Sequence, residues 1–132
     1  MKLNDILTEG NMYTAYVLDD ASRNKLAEKF PPKYEKFVGH HVTHEFGVPQ
    51  GTEPPADVEL SVVGRIDSGD GLEALVVKVG DTRDRPDGST YHVTWSLDPD
   101  KYKPVDSNAL LKSKQFTLSQ SVPITAKPSV LK

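Results

Sequence analysis

The sequence predicts a single α+β domain, 1–132, built on a mainly antiparallel sheet with one or two helices. Three observations predict it. A strand-like segment and one helix-like segment are followed by a run of further strand-like segments. Two of those segments are joined by Ser68-Gly69-Asp70-Gly71, a hairpin signal. The chain has 132 residues, 36% hydrophobic and 27% charged, enough for one core without covalent staples.

In chain order, Met12–Leu18 is rich in aromatic and β-branched residues and reads as the first strand. Asp19, Asp20 or Ser22 caps a helix that places Leu26 and Phe30 on one face. Pro31-Pro32 stops it. Lys36–Phe46 returns to strand character, and Gly47–Pro55 is a loop. Val58–Ile66 and Leu72–Val79 flank the hairpin turn. Gly80–Ser89 is a polar loop, Thr90–Leu97 another strand, and Asp98-Pro99 its end. Ser107–Lys112 is a short helix and Phe116–Thr125 a last strand. Residues 1–11 and 127–132 are expected to be loosely held ends.

Composition narrows the chemistry. The chain has no cysteine, which excludes disulfides, thiolate nucleophiles and cysteine-ligated zinc. That usage matches a reducing, cytoplasmic setting. No apolar run reaches the length of a membrane span, and Met1–Gly10 lacks the basic-then-apolar order of a signal peptide. The net charge is −3, without the basic excess that tracking a duplex requires. The expected partner is therefore a small nucleotide or an RNA end, with no duplex DNA and no membrane.

One short piece recurs: His41-Val42-Thr43 and His92-Val93-Thr94, each in a strand-like segment. Residues two apart on a strand share a face roughly 6.5 Å apart. His41 and Thr43 therefore point together, as do His92 and Thr94, while Val42 and Val93 turn to the core. Two such strands side by side would aim two imidazoles and two hydroxyls into one groove. One neutral imidazole takes a proton from an attacking hydroxyl, and the other, protonated, gives one to the leaving oxygen. An unperturbed pKa of about 6.5 allows both forms near neutrality. The hydroxyls donate to the non-bridging oxygens, where charge grows. This set is what phosphodiester cleavage needs, with no metal and no cofactor. Thr is 9 of 132 residues, so chance places it two positions after two of four histidines in roughly 3% of cases.

The paired His-x-Thr elements, about fifty residues apart, resemble those of the two-histidine (2H) phosphoesterase superfamily. Tyr13–Asp19, Phe30-Pro31-Pro32-Lys33 and Lys103–Asn108 resemble its small LigT-like, Swiss Army Knife RNA-repair-like branch. The likeness touches most of 12–111. It implies a bilobal, pseudo-symmetric fold, His41 and His92 as the acid/base pair, and Thr43 and Thr94 as phosphate ligands. It also implies a nucleotide phosphodiester substrate, either a cyclic oligonucleotide signal or a 2′,3′-cyclic phosphate, and suits a phage or bacterial enzyme. Trp95-Ser96 departs from the pattern, where a smaller aliphatic residue is expected.

Tyr13, Lys33, Lys103, Ser107 and Asn108 are candidate substrate-binding residues, the last three leaning on the resemblance. Arg83 and Arg85 are further candidate phosphate contacts in a loop. Alternation turns Tyr91 and Trp95 away from His92, toward core or rim. His40 and His44, roughly 13 Å apart on a strand, are too far apart to share a metal and are read as surface or packing residues. The alternative is a non-catalytic module that binds or sequesters a nucleotide in the same cleft.

Overall fold

The computed structural model describes residues 12–132, so the expectations for 1–11 lie outside the described residues. Among the described residues the fold is α+β, with two helices and antiparallel strands in two sheets. Strand β1 (Tyr13–Leu18) lies at the centre of a three-stranded sheet, between β3 (His41–Phe46) and β8 (Ala126–Leu131). A five-stranded sheet runs β2 (Lys36–Phe37), β6 (His92–Leu97), β5 (Leu72–Val79), β4 (Leu60–Asp67), β7 (Thr117–Ile124). Helix α1 spans Asp20–Lys29 and α2 spans Asp106–Ser113. Among the described residues, neither helix is long and apolar enough to cross a membrane.

Local chemistry accounts for most boundaries. Asp19 caps α1, its carboxylate accepting from the Ser22 amide at 2.8 Å. In β4, burial alternates residue by residue, as one covered face requires. Strand β5 is apolar nearly throughout and buried on both faces. Leu75, Val77 and Val79 enter the core between the sheets, while Leu72, Ala74 and Val76 turn to the side where α2 packs. Val93 and Trp95 of neighbouring β6 enter that core as well, and Tyr16, Leu18 and Val42 of the three-stranded sheet stand across it, with Leu26 from α1.

Two expectations change. The single strand expected over 36–46 is broken in two. Its first residues pair with β6, and Val38 and Gly39 amides still donate to the Trp95 and Thr94 carbonyls. The chain then leaves for the other sheet. Gly39 sits at φ +50°, and a Cβ there would stand 2.7 Å from the Phe37 ring, so the crossing depends on glycine. The end expected to be loose from 127 instead forms β8, paired with β1 from Tyr13↔Leu131 to Leu18↔Ala126. Pro128 disguised it. On the outer strand of a sheet, a residue without an N–H is tolerated.

The Phe30–Lys33 stretch is bound to the five-stranded sheet. The Trp95 indole donates to the Phe30 carbonyl at 2.7 Å. Buried Glu73 accepts from the Lys33 amide, the Ser96 hydroxyl and the Arg65 guanidinium. Lys33 itself points to Asp67, 2.6 Å from a carboxylate oxygen. Trp95 is thus core, fully buried, and offers no stacking surface.

Candidate active site

The Val38 and Gly39 bonds to β6 bring the start of β3 beside the start of β6, although the two segments are far apart in the chain. His41, Thr43, His92 and Thr94 consequently line one cleft of about 350 Å³. Val42 and Val93 are fully buried on the opposite side, as alternation predicts. Tyr13, Lys103 and Asn108 also line the cleft. Two expected residues do not. Lys33 is held at Asp67, and Ser107 is fully buried behind Thr94, its hydroxyl 2.8 Å from that of Thr94.

His92 is buried, at 8% exposure. Its Nδ1–H donates to the Thr90 carbonyl at 2.8 Å. A carbonyl only accepts, so Nδ1 carries the proton and the neutral ring keeps its lone pair on Nε2. Burial, helped by the Arg85 charge and opposed by the Thr90 bond, lowers its pKa to about 4. His41 is also lowered to about 4, by burial and then by the neighbouring His40 and His92. Both shifts favour the neutral ring, whereas the sequence expectation pairs one neutral ring with one cationic ring near neutrality.

The hydroxyls differ in their surroundings. Thr94 donates to the Pro104 carbonyl at 3.0 Å, so its one proton must turn away from that carbonyl to meet a phosphate oxygen. Thr43 lines the same cleft. Tyr13 stacks on Phe46, ring centres 5.1 Å apart, with the His41 ring 5.4 Å from Tyr13. These two rings form an apolar wall suited to a planar base.

Arg85 is the buried cleft residue that sequence reasoning did not single out from its loop. It is 7% exposed, lines the cleft, and donates to Ser89 Oγ and Asn108 Oδ1, each at 2.6 Å. Asp87 stands 3.8 Å away and is itself largely exposed. Both hydrogen-bond partners are neutral, so the buried guanidinium suits an incoming anion. Arg83 instead covers the Phe116 ring outside the cleft. The loop sequence has no feature that separates the two arginines.

His40 and His44 are not joined in a common site. His44 Nδ1 lies 2.7 Å from the Tyr91 hydroxyl, and His40 Nδ1 lies 2.9 Å from His41 Nδ1. His44 is a packing residue, as expected. His40 touches the candidate machinery.

The depressed histidines make stability depend on pH. Unfolded imidazoles take up protons near pH 6.5, whereas the folded ones resist until about pH 4. Between those values the unfolded state binds more protons, so folding stability falls as pH falls. The contribution of His92 is roughly 3 kcal/mol, present above pH 6.5 and lost toward pH 4. Denaturant titrations across this window are expected to show the decline, and His92→Asn is expected to remove the His92 share of it while the His41 share remains.

Comparison with protein-family models, curated proteins and solved structures finds no match.

Proposed function

We propose that this chain is a phosphodiesterase that needs no metal and cleaves a nucleotide phosphodiester by paired histidine acid–base catalysis. The observation that carries the reading is one cleft lined by His41 and His92 with Thr43 and Thr94 beside them. A phosphate placed between the rings would meet the His92 Nε2 lone pair, the two threonine hydroxyls and the Arg85 guanidinium. A base would rest on Tyr13 and Phe46. The limited volume, about 350 Å³, and the net charge of −3 favour a cyclic oligonucleotide or a 2′,3′-cyclic phosphate over a long polyanion. Matching strands β3 and β6, each opening on His-Val-Thr with valine inward, support a two-lobed, pseudo-symmetric arrangement of the 2H kind.

A second reading has its own support. Two imidazoles that are neutral near pH 7 leave no cationic acid in the cleft, as in a module that holds a nucleotide without cutting it. Incubation with cyclic di- and trinucleotides and with 2′,3′-cyclic-phosphate oligonucleotides, resolved by chromatography, separates the two. Cleaved product, persisting in a chelator and absent from the His41→Asn/His92→Asn double variant, is the expected result. A raised melting temperature without product would favour the binder. Full activity in the double variant would remove the basis of the catalytic reading.

A further inference from the structure

The geometry points to His40 as the proton source behind His41, a positioning residue that makes His41 the acid and His92 the base. The inference rests on the phosphodiesterase reading and deepens it by assigning roles to two motifs that are identical in sequence.

The assignment begins with His92. Its Nδ1–H is committed to the Thr90 carbonyl, so its neutral ring faces the cleft with a bare Nε2. His41 is held differently. Its Nδ1 lies 2.9 Å from His40 Nδ1, and a hydrogen bond between two ring nitrogens needs a proton on one of them only. If His41 were the donor, both catalytic rings would present lone pairs to an anionic phosphodiester, and no proton would await the leaving oxygen. If His40 is the donor, His41 presents Nε2–H. The cleft then holds one lone pair and one proton, the complement that cleavage requires.

His40 is placed for this role. It is exposed, so a proton leaving its ring is replaced from solvent, whereas His41 is half-buried and His92 buried. Its carbonyl accepts from the Leu18 amide at 3.0 Å, fixing the backbone at the start of β3. The titratable groups facing His41 are His40 beside it, Tyr13 from β1 and His92 from β6. Arg23 of α1, bonded to the Val38 and Gly39 carbonyls, is the fixed charge next along the chain.

The step balances. His92 Nε2 takes a proton from the attacking water as its oxygen bonds to phosphorus. The P–O bond to the leaving group breaks, and its electron pair goes to that oxygen, which takes the His41 Nε2 proton. His41 Nδ1 takes the Nδ1 proton of His40, whose exposed Nε2 takes one from solvent. His40 ends as its Nε2–H tautomer, His41 ends neutral with its proton on Nδ1, and His92 ends cationic. Return of the His92 proton through water to His41 Nε2, with the Nδ1 proton passing back to His40 and the His40 Nε2 proton to solvent, restores the start.

The test compares His40→Ala, His40→Asn and the unaltered chain on two substrates. One is a nucleotide phosphodiester with an alkoxide leaving group, and the other is its p-nitrophenyl ester, whose leaving oxygen needs no proton. On the alkoxide substrate, His40→Ala is expected to lower kcat by about 10²-fold or more, with KM changed less than about threefold. The deficit is expected to disappear on the p-nitrophenyl ester. His40→Asn, which offers an amide N–H but no transferable proton, is expected to recover only part of the loss. Equal activity of His40→Ala and the unaltered chain on both substrates would overturn the inference while leaving the phosphodiesterase reading intact. Absence of turnover by the unaltered chain would instead count against that reading. Ring-nitrogen NMR tests His40 independently of activity: His41 is expected as the Nε2–H tautomer near neutral pH, and the Nδ1–H tautomer would refute the assignment.

Discussion

His92→Asn is expected to lower turnover by at least about 10³-fold while leaving the fold in place, as steady-state kinetics and thermal melting would register. Asparagine is chosen because its amide N–H can occupy the position of Nδ1–H against the Thr90 carbonyl, which lies 2.8 Å from the imidazole. The substitution thus removes only the Nε2 lone pair. Alanine is a poorer probe than asparagine. At 8% exposure the ring is buried, so truncation would leave a void and a carbonyl without its donor. A substrate bound mainly by Arg85, the threonines and the aromatic wall should keep its KM. An unchanged kcat would mean that proton transfer lies elsewhere.

The largest stability effect is expected at Trp95. Trp95→Ala should remove about 4 kcal/mol, a large share of the 5–15 kcal/mol typical of a small domain. The indole is fully buried, meets Phe37 edge-on with ring centres 4.7 Å apart, and donates to the Phe30 carbonyl at 2.7 Å. Its loss opens the core and removes the bond that ties Phe30 to the sheet, leaving the Lys33 and Tyr34 amides bonded to Glu73 and Ser96. Trp95→Phe should cost less, keeping most of the ring but leaving the Phe30 carbonyl unpaired. Because the chain has one tryptophan, the unfolding of the variants is best followed by circular dichroism. A loss below about 1 kcal/mol would show that the core closes around the gap.

Some of this was legible in the chain because it is local. Asp19 before a helical pattern, the Ser68–Gly71 turn, the apolar run of Leu72–Val79 and the alternation that turns Val42 and Val93 inward each depend on neighbours in sequence. Strand β8 was obscured because Pro128 argues against a strand unless the strand lies at an edge, and the edge is a property of the assembled sheet. Lys33 resembled a phosphate contact and proved to face Asp67, thirty-four positions away. The choice of Arg85 over Arg83 is made by Asn108 and Ser89 on one side and by Phe116 on the other. The depth of His92, which sets its protonation, comes from the packing around it rather than from the His-Val-Thr pattern, which His41 shares.

The crossing at Gly39 leaves no slack between the two halves of the cleft. Lys36 and Phe37 are committed to one sheet and His41 to the other. One residue added between them would slide the first motif out of step and turn its imidazole toward the valines. Length variation is instead accommodated in the irregular stretch between β3 and β4, residues 47–59, where an added residue leaves the register of both His-Val-Thr strands unchanged.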